Sequence, residues 1–249
     1  MRFLTAICFI LLFVSCKEES KSLSAQQIID KTIENAGGDN YNLATINFTF
    51  RKTKYRSKHN KGIFEYSRTF TDSIGEVNDV LNNDGFTRFV NAQKINLPDS
   101  TATKYSNSVN SVIYFVQLPF GLNAPSVKKK VVGEAEIDGE NYYEIQVTFT
   151  EQGGGADHED VYMYWINQEN FTVDYFAYKF FTDQGGIRFR KAYNPRMVNG
   201  IRIVDYENYK LEPWENVDLK TLDELYEAGK LELLSKIETE DVSVINSKE

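Results

Sequence analysis

The sequence predicts a mainly β chain with a few helices, and three observations carry that prediction. Apolar and polar residues alternate with a period of two through most of the chain beyond residue 44. Short turn sequences rich in Gly, Asn and Asp interrupt that alternation at close intervals. Aromatic residues make up 14% of the chain, with 15 Tyr and 17 Phe, the residues that fit a pleated, half-buried surface.

The N-terminus comes first. Met1-Arg2, the apolar run Ala6 to Val14 and then Ser15-Cys16 follow the charge, apolar core and small-residue order of a secretory signal. The run is roughly half of the about 20 residues that cross a bilayer, and it stops at Lys17-Glu18-Glu19. Its end, Phe13-Val14-Ser15-Cys16, resembles the bacterial lipobox, with Phe13 where Leu is usual. Residues 1–15 are therefore expected to be a signal peptide, Cys16 the acylated mature terminus and residues 16–23 a tether. Residues 24–249 are then expected to be a single β-rich domain of a ligand-binding type. Each buried methylene contributes about 0.8 kcal/mol, so two or three acyl chains hold a protein on a membrane durably. Lys17-Glu18-Glu19 also resembles the signal that sends some Bacteroidota lipoproteins to the cell surface. The expected location is the cell envelope, lipid-anchored at the outer membrane.

Ser24-Ala25-Gln26-Gln27 reads as a capping box, Ile28, Ile29 and Ile33 recur at helical spacing, and Gly37-Gly38 ends that helix. From Thr45 the period becomes two, with Ile46, Phe48 and Phe50 on one face. A turn is expected near His59-Asn60-Lys61-Gly62, followed by strands over 63–70, 76–81 and 86–95, the last two separated by Asn83-Asp84-Gly85. Beyond Pro98, Ala102, Tyr105, Val109, Val112, Ile113 and Val116 form a helical stripe capped by Asp99 or Ser100, and Pro119 and Gly121 stop it. The exit Leu118-Pro119-Phe120-Gly121-Leu122 is apolar enough to be either buried or a lid. Six strands follow over 127–137, 142–150, 160–166, 171–181, 187–197 and 201–211. Two of them, Val161 to Ile166 and Tyr175 to Tyr178, are apolar on both faces, which places a helix on one side and a core or cavity on the other. A last helix is expected from the Asp218 cap through Leu219, Leu222, Leu225 and Tyr226 to Gly229, and a final strand over 231–245.

Lys and Arg number 28 against 36 Asp and Glu, a net charge of −8; loss of Arg2 with the signal leaves 27 against 36, or −9. That balance argues against nucleic acid as a partner. The two cysteines, Cys8 and Cys16, are spent on the signal and the anchor, so the mature chain has none left for a disulfide.

The order of elements resembles the LolA/LolB-like lipoprotein-carrier superfamily, and more closely lipoproteins of Bacteroidota that share its pattern. The residues that carry the resemblance are Ala36-Gly37-Gly38 before the first long strand, the central helix, and the hairpin from Gly185-Gly186-Ile187 to Val198-Asn199-Gly200-Ile201. It implies a strongly curved antiparallel sheet, an incomplete β-barrel with helices covering its open side, and an apolar cavity that takes up acyl chains. The chain departs from the soluble carriers in carrying Cys16. Lys17 to Leu23 reaches roughly 25 Å when extended, too short to ferry cargo between membranes.

Phe48, Phe50, Phe64, Tyr66, Phe70, Tyr114, Phe115, Trp165 and Tyr175 are the candidates to line such a cavity, and each also suits an ordinary core. No catalytic constellation or metal motif stands out, and no cofactor is expected. His59 sits in a polar segment and reads as a solvated turn residue. Asp157-His158-Glu159-Asp160 is the densest cluster of ligand-type residues but lacks metal-site spacing. Gly153-Gly154-Gly155 lacks the Lys and Ser/Thr of a phosphate loop, and Lys128-Lys129-Lys130 reads as an exposed strand end. The leading expectation is a membrane-anchored, non-enzymatic binder of an acyl chain or lipid. Two alternatives stand beside it: an envelope hydrolase acting on glycans or esters, and a structural or partner-binding lipoprotein.

Overall fold

The computed structural model describes residues 22–152, 159–182 and 184–246. The signal peptide, Cys16, the triple glycine at 153–155, Asp157 and His158 lie outside the described residues.

Helix α1, Ala25–Ala36, opens with the expected capping box: Ser24 accepts the Gln27 backbone N–H while the Gln27 side chain returns to the Ser24 backbone. Its buried residues Ile28, Ile29, Thr32 and Ala36 form one stripe. Six antiparallel strands follow: β1 (Ala44–Phe50), β2 (Thr53–Asn60), β3 (Ile63–Asp72), β4 (Gly75–Asn82), β5 (Gly85–Val90) and β6 (Gln93–Ile95). Helix α2, Asp99–Val116, crosses to the strands β7 (Val127–Ile137), β8 (Glu140–Phe149), β9 (Val161–Asn167), β10 (Val173–Phe180), β11 (Gly186–Val198) and β12 (Ile201–Lys210). The short helix α3, Leu222–Glu227, precedes β13 (Glu232–Ile237) and β14 (Glu240–Asn246).

The strands make two seven-stranded antiparallel sheets, ordered β14-β1-β2-β3-β4-β5-β6 and β13-β12-β11-β10-β9-β8-β7. They do not close into a barrel. β13 and β14 belong to one bent segment that borders both sheets, so the wall is creased there. β6 and β7 are its outer edges, and α2 is the connection between them. At the crease Asp205, nearly fully buried, accepts the Thr239 backbone N–H at 3.0 Å, and Arg196 binds both Asp205 at 3.2 Å and the Thr239 carbonyl at 2.8 Å. A buried polar pin of this kind is tolerated because all its partners are present.

The inner face of the first sheet presents Ile46, Phe48 and Tyr55 to Val109, Ile113 and Val116 of α2. The second sheet is apolar on both faces, as its sequence requires. Tyr164, Ile166, Phe176 and Tyr206 meet α1, Leu118 and Leu122 on the inner side. Met163, Trp165, Tyr175, Ala177 and Phe189 lie on the other side beneath Leu219 and Leu222.

Several expectations are corrected. The chain between Thr45 and His59 is two strands, because Arg51 and Lys52 (φ 49° and 65°) make a two-residue turn with neither Gly nor Asn to announce it. Asn91 and Ala92 (φ 47° and 65°) likewise split 86–95 into β5 and β6. Pro98, not Asp99 or Ser100, occupies the α2 cap and makes no side-chain bond there. The exit segment is not a lid: Leu118 and Leu122 are buried in the core. The final alternating stretch changes sheets midway, after Ile237. His59 is no solvated turn residue; it lies within β2, half-buried.

Two of the sequence pieces that carry the resemblance, Gly37 and the Asn199-Gly200 turn, meet in space. Gly37, at φ 145°, would place a Cβ 2.9 Å from the Gly200 carbonyl oxygen, and Asn40 donates to that same oxygen at 3.3 Å. The end of α1 is thereby held against the β11–β12 turn.

Candidate functional site

The crease and α2 enclose a cavity of about 360 Å³ over the inner face of the second sheet. It falls within the roughly 300–1,000 Å³ range of small-molecule pockets. α2 supplies Val112, Phe115 and Val116; β9, β10 and β12 supply Tyr162, Tyr178, Val204 and Tyr206; Ile237 and Phe50 close the crease side. One end is polar, with Asp160, Thr182, Arg188 and Arg190. A wider hollow of about 560 Å³ over Asn47, Lys54, Arg56 and Asp241 is a trough rimmed largely by polar side chains.

The aromatic wall is ordered by ring contacts. Phe115 stacks on Phe176 at 5.6 Å and on Tyr178 at 5.4 Å, and Tyr162 stacks on Tyr178 at 5.5 Å. Such offset pairs add about 0.5–1.5 kcal/mol each beyond burial, so the wall keeps its shape. Burial pushes the Tyr206 phenol up to about 12, and it stays neutral at physiological pH.

β11 sets the polar end. Ile187 and Phe189 point to the outer core, so Arg188 and Arg190 point into the cavity. Arg190 is 8% exposed. Its guanidinium lies 4.3 Å from the Phe115 ring centre and 5.3 Å from those of Phe176 and Tyr178, close enough for cation–π attraction. It donates to the Tyr178 hydroxyl at 3.0 Å, while among the described residues its Nε–H has no partner. Arg188 donates to the Ile187 carbonyl at 2.8 Å and lies over Phe180.

Of the nine aromatic candidates, Phe50 and Phe115 line the cavity. Tyr114 turns to the core, its hydroxyl 3.4 Å from that of Tyr164. Phe48 stacks on Tyr55 at 5.2 Å. Phe64 and Tyr66 pack together at 4.8 Å, and Phe70 lies under Arg68. Trp165 and Tyr175 belong to the opposite face of the second sheet and are shut off from the cavity by it. Tyr162, Tyr178, Tyr206, Arg188 and Arg190 were not singled out by sequence reasoning. The alternation Ile187-Arg188-Phe189-Arg190 puts both arginines on one face but does not tell a cavity from solvent. His59 Nε2 faces Gln117 Oε1 and the Tyr66 hydroxyl, each at 3.3 Å, and burial lowers its pKa.

A search of the curated proteins finds no match. Among solved structures the chain is similar to a LolA superfamily protein from Nitrosomonas europaea, with 15% identity, a TM-score of 0.49, and coverage of 91% of this chain and 96% of that one. It is also similar to a DUF1329 family protein from Desulfovibrio piger, at 12% identity, a TM-score of 0.43 and coverage of 88% and 92%. A third is a domain described as an outer membrane lipoprotein-sorting protein from Vibrio parahaemolyticus, at 6% identity, a TM-score of 0.33 and coverage of 83% and 85%. A family model matches residues 1–239, and by that match the chain belongs to DUF6503, a family of unknown function.

Proposed function

We propose that this protein is a lipid-anchored lipoprotein of the bacterial envelope, held on the outer membrane through Cys16, and that residues 24–249 act as one unit that binds an acyl-type apolar ligand beneath α2. The observation that supports the reading is the cavity, with Val112, Phe115, Val116, Tyr178 and Val204 as apolar walls and one polar end. Phe50 and Phe115 are its ligand contacts from the aromatic set; the other seven brace the sheets around it.

Neutral linear alcohols test the apolar part without involving charge. Calorimetric titration of the chain from Lys17 onward should show affinity rising with chain length from octanol. Two added methylenes at about 0.8 kcal/mol each give roughly 15-fold in Kd, until the cavity is full and the gain stops. Absence of binding, or no change across the series, would refute the ligand reading. The anchor is tested separately by intact mass of the protein extracted from membranes: an unacylated N-terminus would remove it and leave the cavity untouched.

A further inference from the structure

We infer that the ligand is an amphiphile with an anionic oxygen head, a carboxylate or a phosphate, received by Arg190 with help from Arg188. This rests on the apolar-ligand reading above and adds the chemistry of the head.

The argument begins with how this protein treats its other inward or half-buried arginines. Arg68 and Arg88 share Asp79 at 2.8 and 2.6 Å. Arg196 pairs with Asp205 at 3.2 Å and Arg202 with Asp174 at 3.6 Å. Among the described residues, Arg188 and Arg190 form no such ion pair, although Arg190 is more than nine-tenths buried. A buried guanidinium carries five N–H donors, and burying a charge is expensive unless it is paired and hydrogen-bonded. Arg190 has the three surrounding rings and one phenol oxygen, and its Nε–H is unused among the described residues. The missing partner is a hydrogen-bond acceptor with negative charge, approached from the cavity that Arg190 lines.

The surroundings fit that partner. Asp160 is engaged in interactions of its own, and with two arginines against one aspartate the lining is net positive in a chain of net charge −8. Carboxylates and phosphates match the planar fork of a guanidinium. An alcohol head offers no charge, and a quaternary ammonium head meets repulsion. The apolar walls at Val112, Val116 and Val204 then accept the tail.

The test compares four twelve-carbon probes on the chain from Lys17 onward: dodecanoate, dodecyl phosphate, dodecanol and dodecyltrimethylammonium. Dodecanoate or dodecyl phosphate should bind about tenfold or more tighter than dodecanol, as expected for a hydrogen bond to a charged group, and the tighter anion identifies the head. Arg190→Gln should abolish the preference, bringing the ratio of anion to dodecanol affinity to about one. Arg188→Gln, nearer the exposed end, should give a smaller loss in the same direction. Equal affinity for dodecanol and both anions, a preference for the cation, or equal weakening of anion and alcohol by Arg190→Gln would overturn the inference while leaving the apolar-ligand reading standing. Failure of all four probes would instead bring down that reading. If Arg190→Gln does not fold, the comparison of probes on the unsubstituted protein, with Arg188→Gln, decides.

Discussion

Removing the Asp79 carboxylate tests what holds the helix over the cavity. Asp79 lies at the middle of β4 with its side chain fully buried, and Arg88 clasps it with two bonds of 2.6 and 2.8 Å while Arg68 adds a third at 2.8 Å. The same two arginines reach α2: Arg68 donates to the Ser108 hydroxyl at 2.7 Å, and Arg88 lies 3.6 Å from the centre of the Tyr105 ring. The arginine side chains are only 12% and 9% exposed, so water does little to screen what is lost. Asp79→Ala leaves two guanidinium groups facing each other without their anion, and breaking a buried pair from one side costs about 3–5 kcal/mol. Urea unfolding should show that loss as a lower midpoint with an unchanged slope. Native-state hydrogen exchange should show faster exchange across residues 101–112, because the N-terminal half of α2 loses its attachments to the sheet. Dodecanol affinity should fall as well, since Val112, Phe115 and Val116 ride on that helix. A change in stability below about 1 kcal/mol, or α2 exchange unaltered against a lowered global stability, would refute the view that this network anchors the cavity wall.

Three further outcomes are expected. His59 has a pKa lowered by burial, so the unfolded chain takes up its proton first. Its contribution is present above about pH 6.5 and is lost as the pH falls through the lower folded value; His59→Gln should flatten the stability profile in that window, and an unchanged slope would count against it. Gly37→Ala should cost more than about 1 kcal/mol, because its φ of 145° disfavours a side chain and the Cβ would stand 2.9 Å from the Gly200 oxygen. Gly38→Ala, at φ 53° with nothing within 4 Å, should cost less, and the reverse order in urea midpoints would contradict this packing. Trp165→Phe should destabilise by about 1–3 kcal/mol yet leave dodecanol affinity within about twofold, because Trp165 is fully buried on the sheet face away from the cavity; weakened binding would show that the two faces are coupled.

The parts of the fold legible in the sequence are those where local chemistry and tertiary structure agree. Asp138-Gly139 and Asn199-Gly200 both adopt positive φ, as their residue types favour, and the strands they join begin and end within two residues of where the sequence predicts. Arg51-Lys52 adopts the same backbone without that chemistry, held by strands that bury Phe48 against Tyr55, and no local signal exists there because the pairing forces the turn. Asn91-Ala92 carries half of it: Asn91 suits a positive φ, Ala92 does not, and the pairing of Val90 with Gln93 completes the turn. α2 was legible because Val109, Ile113 and Val116 repeat at helical spacing and all are buried. The cavity was not, for a reason that alternation cannot escape. In Ile187-Arg188-Phe189-Arg190 the period of two separates an apolar face from a charged one, the ordinary pattern of a strand wet on one side. Arg190 meets an aromatic box where solvent would ordinarily be. Trp165 and Tyr175 illustrate the converse: β9 and β10 are apolar on both faces, so nothing in their sequence says which face borders the hollow and which lies beneath α3 and the turn before it. A polar hollow and bulk water leave the same mark on a strand. They separate only when the other elements are in place, which is why the proposed ligand head rests on the buried Arg190, without an ion pair among the described residues, rather than on the count of aromatic residues.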